Sequence, residues 1–299
     1  MTLALYVDDA DISEPARERV RALAEKHPSR VIMWDATQAS GIAHTDASIT
    51  QSEWIDLGAR ESSPADLSAA LDAFALPNVP LVALWGAREG VTSERFSAFT
   101  ARANSIICDT SLARNTIGAL RELAAVCARN EHRAIADLAY LRLTSWQDCV
   151  ASFFDDPAVS VDLQNISRVD VTCGPGAEGH YVLGWLASRL GWSPSSPTAF
   201  TGPAGTVAFS LEHGGEPRRI NSIEITCGDT RYRAELDAAD ANTIVFEGNS
   251  GKTRSRSCRA MSGTDMATLV ENAVLLREVD PVFRESLAIA GAIQTQSAT

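Results

Sequence analysis

The chain of 299 residues is short of the groups on which most catalytic centres are built. It has five histidines, His27, His44, His132, His180 and His213, and none stands in an H-E-x-x-H run or at another paired ligand spacing. Six cysteines, at 108, 127, 149, 173, 227 and 258, lie far apart. No two form C-x-x-C and none has a histidine at zinc spacing, so no metal site is expected. This scatter fits reduced thiols in the cytoplasm better than a disulfide framework. There is no G-x-S-x-G elbow. No apolar run reaches the roughly 18 residues that a membrane helix needs. Met1 to Val7 lacks the basic start and cleavage site of a signal peptide, and Asp8 and Asp9 cut it short, so it reads as a strand. Positive charge is scarce as well, with 26 bases against 38 acids and a formal charge of −12. That excludes a general nucleic-acid binder and docking on an anionic membrane. A basic or neutral protein surface remains open as a partner. With 38 acids, close carboxylate pairs arise by chance. Asp155-Asp156 and Asp237 with Asp240 read as helix-end or turn residues.

What is present has order. The first half alternates between strand and helix periods. Leu3 to Val7, Arg30 to Trp34, Ser48 to Leu57, Pro80 to Trp85 and Ser105 to Cys108 read as strands. Helices are predicted from a Ser13 cap with Pro15 in the first turn to His27-Pro28, from Ser63 to Phe74, from Ser93, and from Leu112 to Cys127. This order predicts an N-terminal three-layer α/β domain with a largely parallel sheet, residues 1–130. Glu131-His132-Arg133 is a polar joint. A connecting helix around Leu138 to Phe154 then opens a second domain, residues 131–299. Val169 to Cys173 reads as a strand, Tyr181 to Leu190 as a helix, and Gly191 to Pro197 as a helix stop and loop. Beyond it the period changes to two. Val207 to Leu211, Ile220 to Thr226, Tyr232 to Leu236 and Thr243 to Glu247 read as successive antiparallel strands joined by glycine-bearing turns. Asp265 to Arg277 is a helix, followed by a shorter one from Pro281. The second domain is therefore α+β with an antiparallel sheet. Only Gln294 to Thr299 reads as disordered.

Three segments stand out chemically. Gly174-Pro175-Gly176-Ala177-Glu178-Gly179 matches G-x-G-x-x-G between a strand and a helix, the setting of a dinucleotide fingerprint. Pro175, however, removes a backbone donor from the loop, and the acid expected about 20 positions on falls in the Ser193 to Pro197 loop. Gly174, Gly176 and Gly179 are thus candidates for a phosphate cradle or, more simply, for a strand-to-helix turn. Gly248 to Thr253 ends like a P-loop, but Phe246 stands where its first glycine belongs, so it reads as a hairpin turn. Lys252, Arg254 and Arg256 recur at spacing two and would share one face of a strand. They suit either a charged edge strand or contact with an acidic patch or a sugar phosphate. Trp85, Trp146, Trp185 and Trp192 read as core, or as interface anchors where exposed.

The run Asp137-Leu138-Ala139-Tyr140-Leu141-Arg142-Leu143-Thr144-Ser145-Trp146 is the most patterned stretch. On a helix, Leu138, Leu141 and Trp146 fall near one face, while Arg142 and Thr144 point elsewhere. It resembles the signature of the glucose-6-phosphate dehydrogenase assembly protein (OpcA) family, roughly Asp-Leu-x-Trp-Thr-Arg-Leu-Thr-x-Trp-Arg. Arg142, Leu143, Thr144 and Trp146 match. Tyr140, Leu141 and Gln147 depart from the Trp, Thr and Arg of the family. His27 to Ile32, Leu76 to Trp85, Ala103 to Ser111 and Leu183 to Trp192 are similar to family segments in the same order, spanning residues 27 to 192. The resemblance implies a non-catalytic bacterial protein without a cofactor. It would bind glucose-6-phosphate dehydrogenase in the cytoplasm, promote its active oligomer and activate it allosterically in the oxidative pentose phosphate pathway. Arg142, Thr144 and Trp146 would then contribute to the partner contact or position it. Alternatively, Trp146 is core and Arg142 is paired to a carboxylate. The rival reading is an enzyme or sensor that binds a sugar phosphate or nucleotide through Gly174 to Gly179 and the strand Lys252 to Arg256.

Overall fold

The computed structural model describes residues 1–46, 52–250, 253–261 and 265–293. The chain runs through β1 (Thr2–Val7), α1 (Ala10–Lys26), β2 (Arg30–Asp35), β3 (Gly41–Asp46), β4 (Glu53–Gly58), α2 (Pro64–Phe74), β5 (Leu81–Gly86), α3 (Glu94–Thr100), β6 (Ser105–Cys108), α4 (Thr116–Arg129) and β7 (Ala134–Asp137). These strands form a sheet of order β3-β4-β2-β1-β5-β6-β7. All its pairings are parallel except β3 with β4. Parallel strands joined by helical crossovers are covered on both faces, which is why β1 and β5 are almost unbrokenly apolar and buried. Tyr6 stacks on Trp85 with ring centroids 4.4 Å apart, and Phe96, Phe99 and Trp34 close around them.

The chain continues with α5 (Leu138–Leu141), α6 (Thr144–Ser152), α7 (Pro157–Ser160), β8 (Ile166–Cys173), α8 (Glu178–Leu190), β9 (Ser193–Ser196), β10 (Ala199–Gly202), β11 (Gly205–His213), β12 (Ile220–Cys227), β13 (Thr230–Leu236), β14 (Thr243–Ser250), β15 (Thr253–Ala260), α9 (Met266–Leu275) and α10 (Pro281–Ala292). The second sheet has the order β15-β14-β13-β12-β8-β11-β10-β9 and is antiparallel apart from β8 with β11. Val169, Val171, Phe209, Ile223, Ile225 and Tyr232 are buried, with polar or half-buried residues between them. The fold is thus α/β with one largely parallel and one largely antiparallel sheet. Two compact units result. One takes Met1–Asn115, Ala125–Leu138 and Asp265–Asp280; the other takes Thr116–Ala124, Ala139–Thr264 and Pro281–Thr299.

Several elements depart from the sequence expectation. The cap of α1 is Asp9, whose carboxylate accepts from the Asp11 N–H. The expected cap, Ser13, lies a turn inside the helix, buried, and its hydroxyl donates to Asp35 at 2.7 Å. Two short strands escaped the period-two pattern, β3 at the sheet edge and the four-residue β7. Residues 47–51 lie outside the description, so the start of the strand expected from Ser48 does too. Thr110 to Leu112 form a 3-10 turn capped by Asp109, and α4 starts only at Thr116. Gly191 stops α8 with φ +68°, as its position suggested. The loop expected after it contains β9. β11 and β12 are not neighbours, because β8 lies between them and α8 provides the crossover that makes β8 and β11 parallel. α10 is longer than α9, not shorter.

In the second unit α8 packs closely on α10. A Cβ on Gly184 would stand 2.3 Å from the Ser286 carbonyl oxygen and 3.0 Å from Ala290. Gly184→Ala is therefore expected to lower the unfolding free energy by about 2 kcal/mol. A urea midpoint equal to wild type would show that the two helices part without cost.

Candidate functional site

The patterned run is not one helix. β7 ends at Asp137, a single turn follows, and α6 begins at Thr144. The break falls at Arg142-Leu143, where the Leu143 N–H bonds to the Tyr140 carbonyl and the Thr144 hydroxyl donates to the Leu141 carbonyl at 2.9 Å. The chain turns here because Thr144 offers the backbone a local alternative to a continuous helix. Past the break, Trp146 faces inward and is 3% exposed. At the far end of α6, Phe153 and Phe154 pack on Tyr232, and Phe153 also packs on Phe246. Thr144 and Asp148 point outward.

Arg142 lies at the break itself. Its Nε donates to Glu178 Oε1 at 2.8 Å, with the arginine side chain 11% and the glutamate 1% exposed. Glu178 is the first residue of α8 and part of the glycine turn. Two segments that the sequence kept apart therefore meet in one buried ion pair.

The glycine turn before α8 has its own packing reasons. A Cβ on Gly174 would stand 1.7 Å from the Glu216 carbonyl oxygen, and one on Gly179 2.4 Å from Leu211 and 2.7 Å from the Cys173 sulfur. Gly176 has φ +153°. The Gly174 N–H bonds to the Arg219 carbonyl, and the Arg218 N–H bonds to the Pro175 carbonyl. Close backbone approach requires Gly174, a positive φ favours Gly176, and the packed side chains of Leu211 and Cys173 leave no room for a Cβ at Gly179. The positive end of α8 already holds a carboxylate, so an entering phosphate would share the first turn with Glu178. Beside it, His180 is 3% exposed, and among the described residues neither ring nitrogen has a hydrogen-bond partner. Burial, with a smaller push from His213, takes its pKa down to about 4.

The basic strand is β15, at the edge of the second sheet. Lys252 lies outside the described residues. Arg254 stands at the register position opposite Asn249, and Arg256 opposite Glu247, whose carboxylate its Nε meets at 3.3 Å. Arg259, close to these basic residues in the sequence, reaches Asp148 of α6 at 3.7 Å, so the basic strand lies alongside the patterned helix.

In open parallel sheets ligands bind outside the carboxyl ends of the strands, where the connections diverge. Here that place lies at the ends of β1 and β5. The chain's own acids take up donors there. Asp9 caps α1 and meets Arg88 at 2.8 Å, while Asp8 accepts from the N–H groups of Arg88 and Glu89. Among the described residues no group of three or more His, Cys, Asp or Glu is placed to hold a metal. Among them also, no helix is long and apolar enough to cross a membrane.

These features define a two-unit α/β protein. KijD10, a 3-ketoreductase from Actinomadura kijaniata solved with TDP-benzene and NADP, has the same fold with a TM-score of 0.57 and 11% identity, over 99% of this chain and 98% of that one. Residues 20–125 match the family model described as the glucose-6-phosphate dehydrogenase subunit N-terminal domain, and residues 133–287 match its C-terminal domain. The chain belongs to the OpcA family. The OxPP cycle protein OpcA of Synechocystis sp. is 31% identical over 218 residues, 71% of this chain and 42% of that protein. The protein of the same name from Synechococcus elongatus is 25% identical over 72% of this chain and 53% of that protein. The chain spans about half the length of these relatives or less.

Two outcomes follow. Arg142→Ala deprives a buried carboxylate of its charged partner and is expected to cost about 3–5 kcal/mol in urea unfolding. In the background of Glu178→Gln the same change should cost at least about 1 kcal/mol less; strictly additive effects would show that the pair does not act as a unit. His180 titrates near 6.5 unfolded and at about 4 folded. The unfolded state then binds more protons between those values, so stability is lost as pH falls from 6.5 towards 4, by about 3 kcal/mol in all. His180→Phe should flatten that part of the profile, and an unchanged slope would assign it to other groups.

Proposed function

We propose that the chain is a non-catalytic cytoplasmic factor that binds glucose-6-phosphate dehydrogenase, promotes its active oligomer and raises its activity in the oxidative pentose phosphate pathway. The observation that carries this reading is the pair of dehydrogenase-subunit domains matched along residues 20–125 and 133–287. The acids at the ends of β1 and β5 support it, because a dinucleotide phosphate there would face Asp8 and Asp9 instead of free backbone donors. The charge of −12 speaks for a protein partner over nucleic acid or an anionic membrane.

Activation requires that the chain prefer one state of the enzyme, since equal affinity for two states shifts nothing. A coupling of about 1–3 kcal/mol suffices. In this reading Arg142 and Trp146 position the outward face of α6, which carries Thr144 and Asp148, and do not themselves reach the partner. The rival small-ligand site at Gly174 to Gly179 has Glu178 against it.

The test is the activity and size of the dehydrogenase from the same cell, with and without the chain. A larger complex with a lower KM or higher kcat is expected. No change in either at tens of micromolar would overturn the proposal.

A further inference from the structure

β15 closes one end of the second sheet, and among the described residues no strand pairs with its outer edge. The directions of its backbone groups follow from two bonds just beyond the β13–β14–β15 ladders. The Met261 N–H bonds to the Asn242 carbonyl at 2.7 Å, and the Asp237 N–H bonds to the Thr243 carbonyl at 2.9 Å. In an antiparallel pair, directly opposed residues alternate between bonding each other and pointing away. With the register Thr243↔Ala260 to Ser250↔Thr253, residues 253, 255, 257 and 259 bond to β14. The N–H and carbonyl groups of Arg254, Arg256, Cys258 and Ala260 therefore face outward.

This edge carries an unusual charge. Thr253 to Ala260 holds Arg254, Arg256 and Arg259 and no acid within a chain of −12, while Glu247 of β14 meets Arg256 and Asp148 of α6 meets Arg259 from the neighbouring elements. Basic side chains on an edge reject most strands. They reject a second copy of this chain, which would bring the same three arginines to the junction. They accept an extended segment with acidic side chains at alternate positions, which would complete the ladder and set carboxylates opposite the register positions of Arg254 and Arg256.

We propose that β15 is a docking edge for an extended acidic segment of the partner enzyme, added as a further strand. This rests on the partner reading above. Such docking has two independent requirements, outward N–H groups and positive charge. Cys258→Pro removes one outward N–H while leaving every bond to β14, a substitution that edge strands tolerate. Arg254→Glu/Arg256→Glu reverses the charge and keeps the backbone.

The experiment measures, for wild type and both variants, fluorescence anisotropy with a labelled Thr-Glu-Val-Glu-Val-Glu-Thr peptide in 20 mM salt, and co-sedimentation with glucose-6-phosphate dehydrogenase. Urea unfolding checks that each variant is folded. The expected result is at least tenfold weaker binding of peptide and of enzyme by each variant. Enzyme binding at wild-type strength by both folded variants would overturn the proposal, as would a peptide bound equally by all three proteins. If wild type binds the peptide but not the enzyme, and both variants lose the peptide, the acidic-strand edge stands and the partner reading falls.

Discussion

The Arg142–Glu178 ion pair ties the break before α6 to the start of α8. A glutamate 1% exposed at the head of a helix is tolerable only if a cation reaches it, because an isolated carboxylate loses more by desolvation than a helix terminus returns. Arg142 can reach it only because the chain turns at Arg142-Leu143 instead of running on as a helix. The same turn sends Trp146 into the core and lays Phe153 and Phe154 on the second sheet. One electrostatic requirement thus fixes the course of the segment that most resembles the family signature.

The first sheet has the topology of a nucleotide-binding domain but different chemistry at its carboxyl end. Asp8 and Asp9 turn to the backbone of the β5–α3 loop and to the first turn of α1, using donors that a phosphate would otherwise occupy. The glycine turn before α8 shows the same substitution in the second unit, with Glu178 at the helix start. In both places the protein supplies its own anion. Function is decided by such sites and not by the scaffold.

Charge is distributed unevenly over this acidic chain. The acids are spread throughout, while β15 collects arginines beside α6, joined to it by Arg259 and Asp148. Buried cysteines such as Cys108 and Cys173 have thiols pushed up by burial, Cys173 to about 12, so they pack as small apolar groups and are not poised as nucleophiles.

Features that depend on local pattern are legible in the residues alone. Continuous apolar runs announced β1, β2, β5 and β6; Ser63 announced the start of α2, where the structure adds a capping box with Asp66; Gly191 announced the stop of α8; the period-two runs announced β11 to β14. Lys252, Arg254 and Arg256 announced an edge strand, although Lys252 lies outside the described residues. The tertiary structure alone decided what depends on long-range geometry. Four-residue β7 has no readable period and exists because β6 offers it a ladder. Ser13 looked like a cap, yet its hydroxyl is used by Asp35, 22 residues away. The partner of Arg142 lies 36 residues on, where Glu178 looked like an ordinary member of a glycine turn. A local pattern records which face of an element is apolar, whereas the pairing of buried charges is set by which elements are brought together, and that is a property of the folded chain.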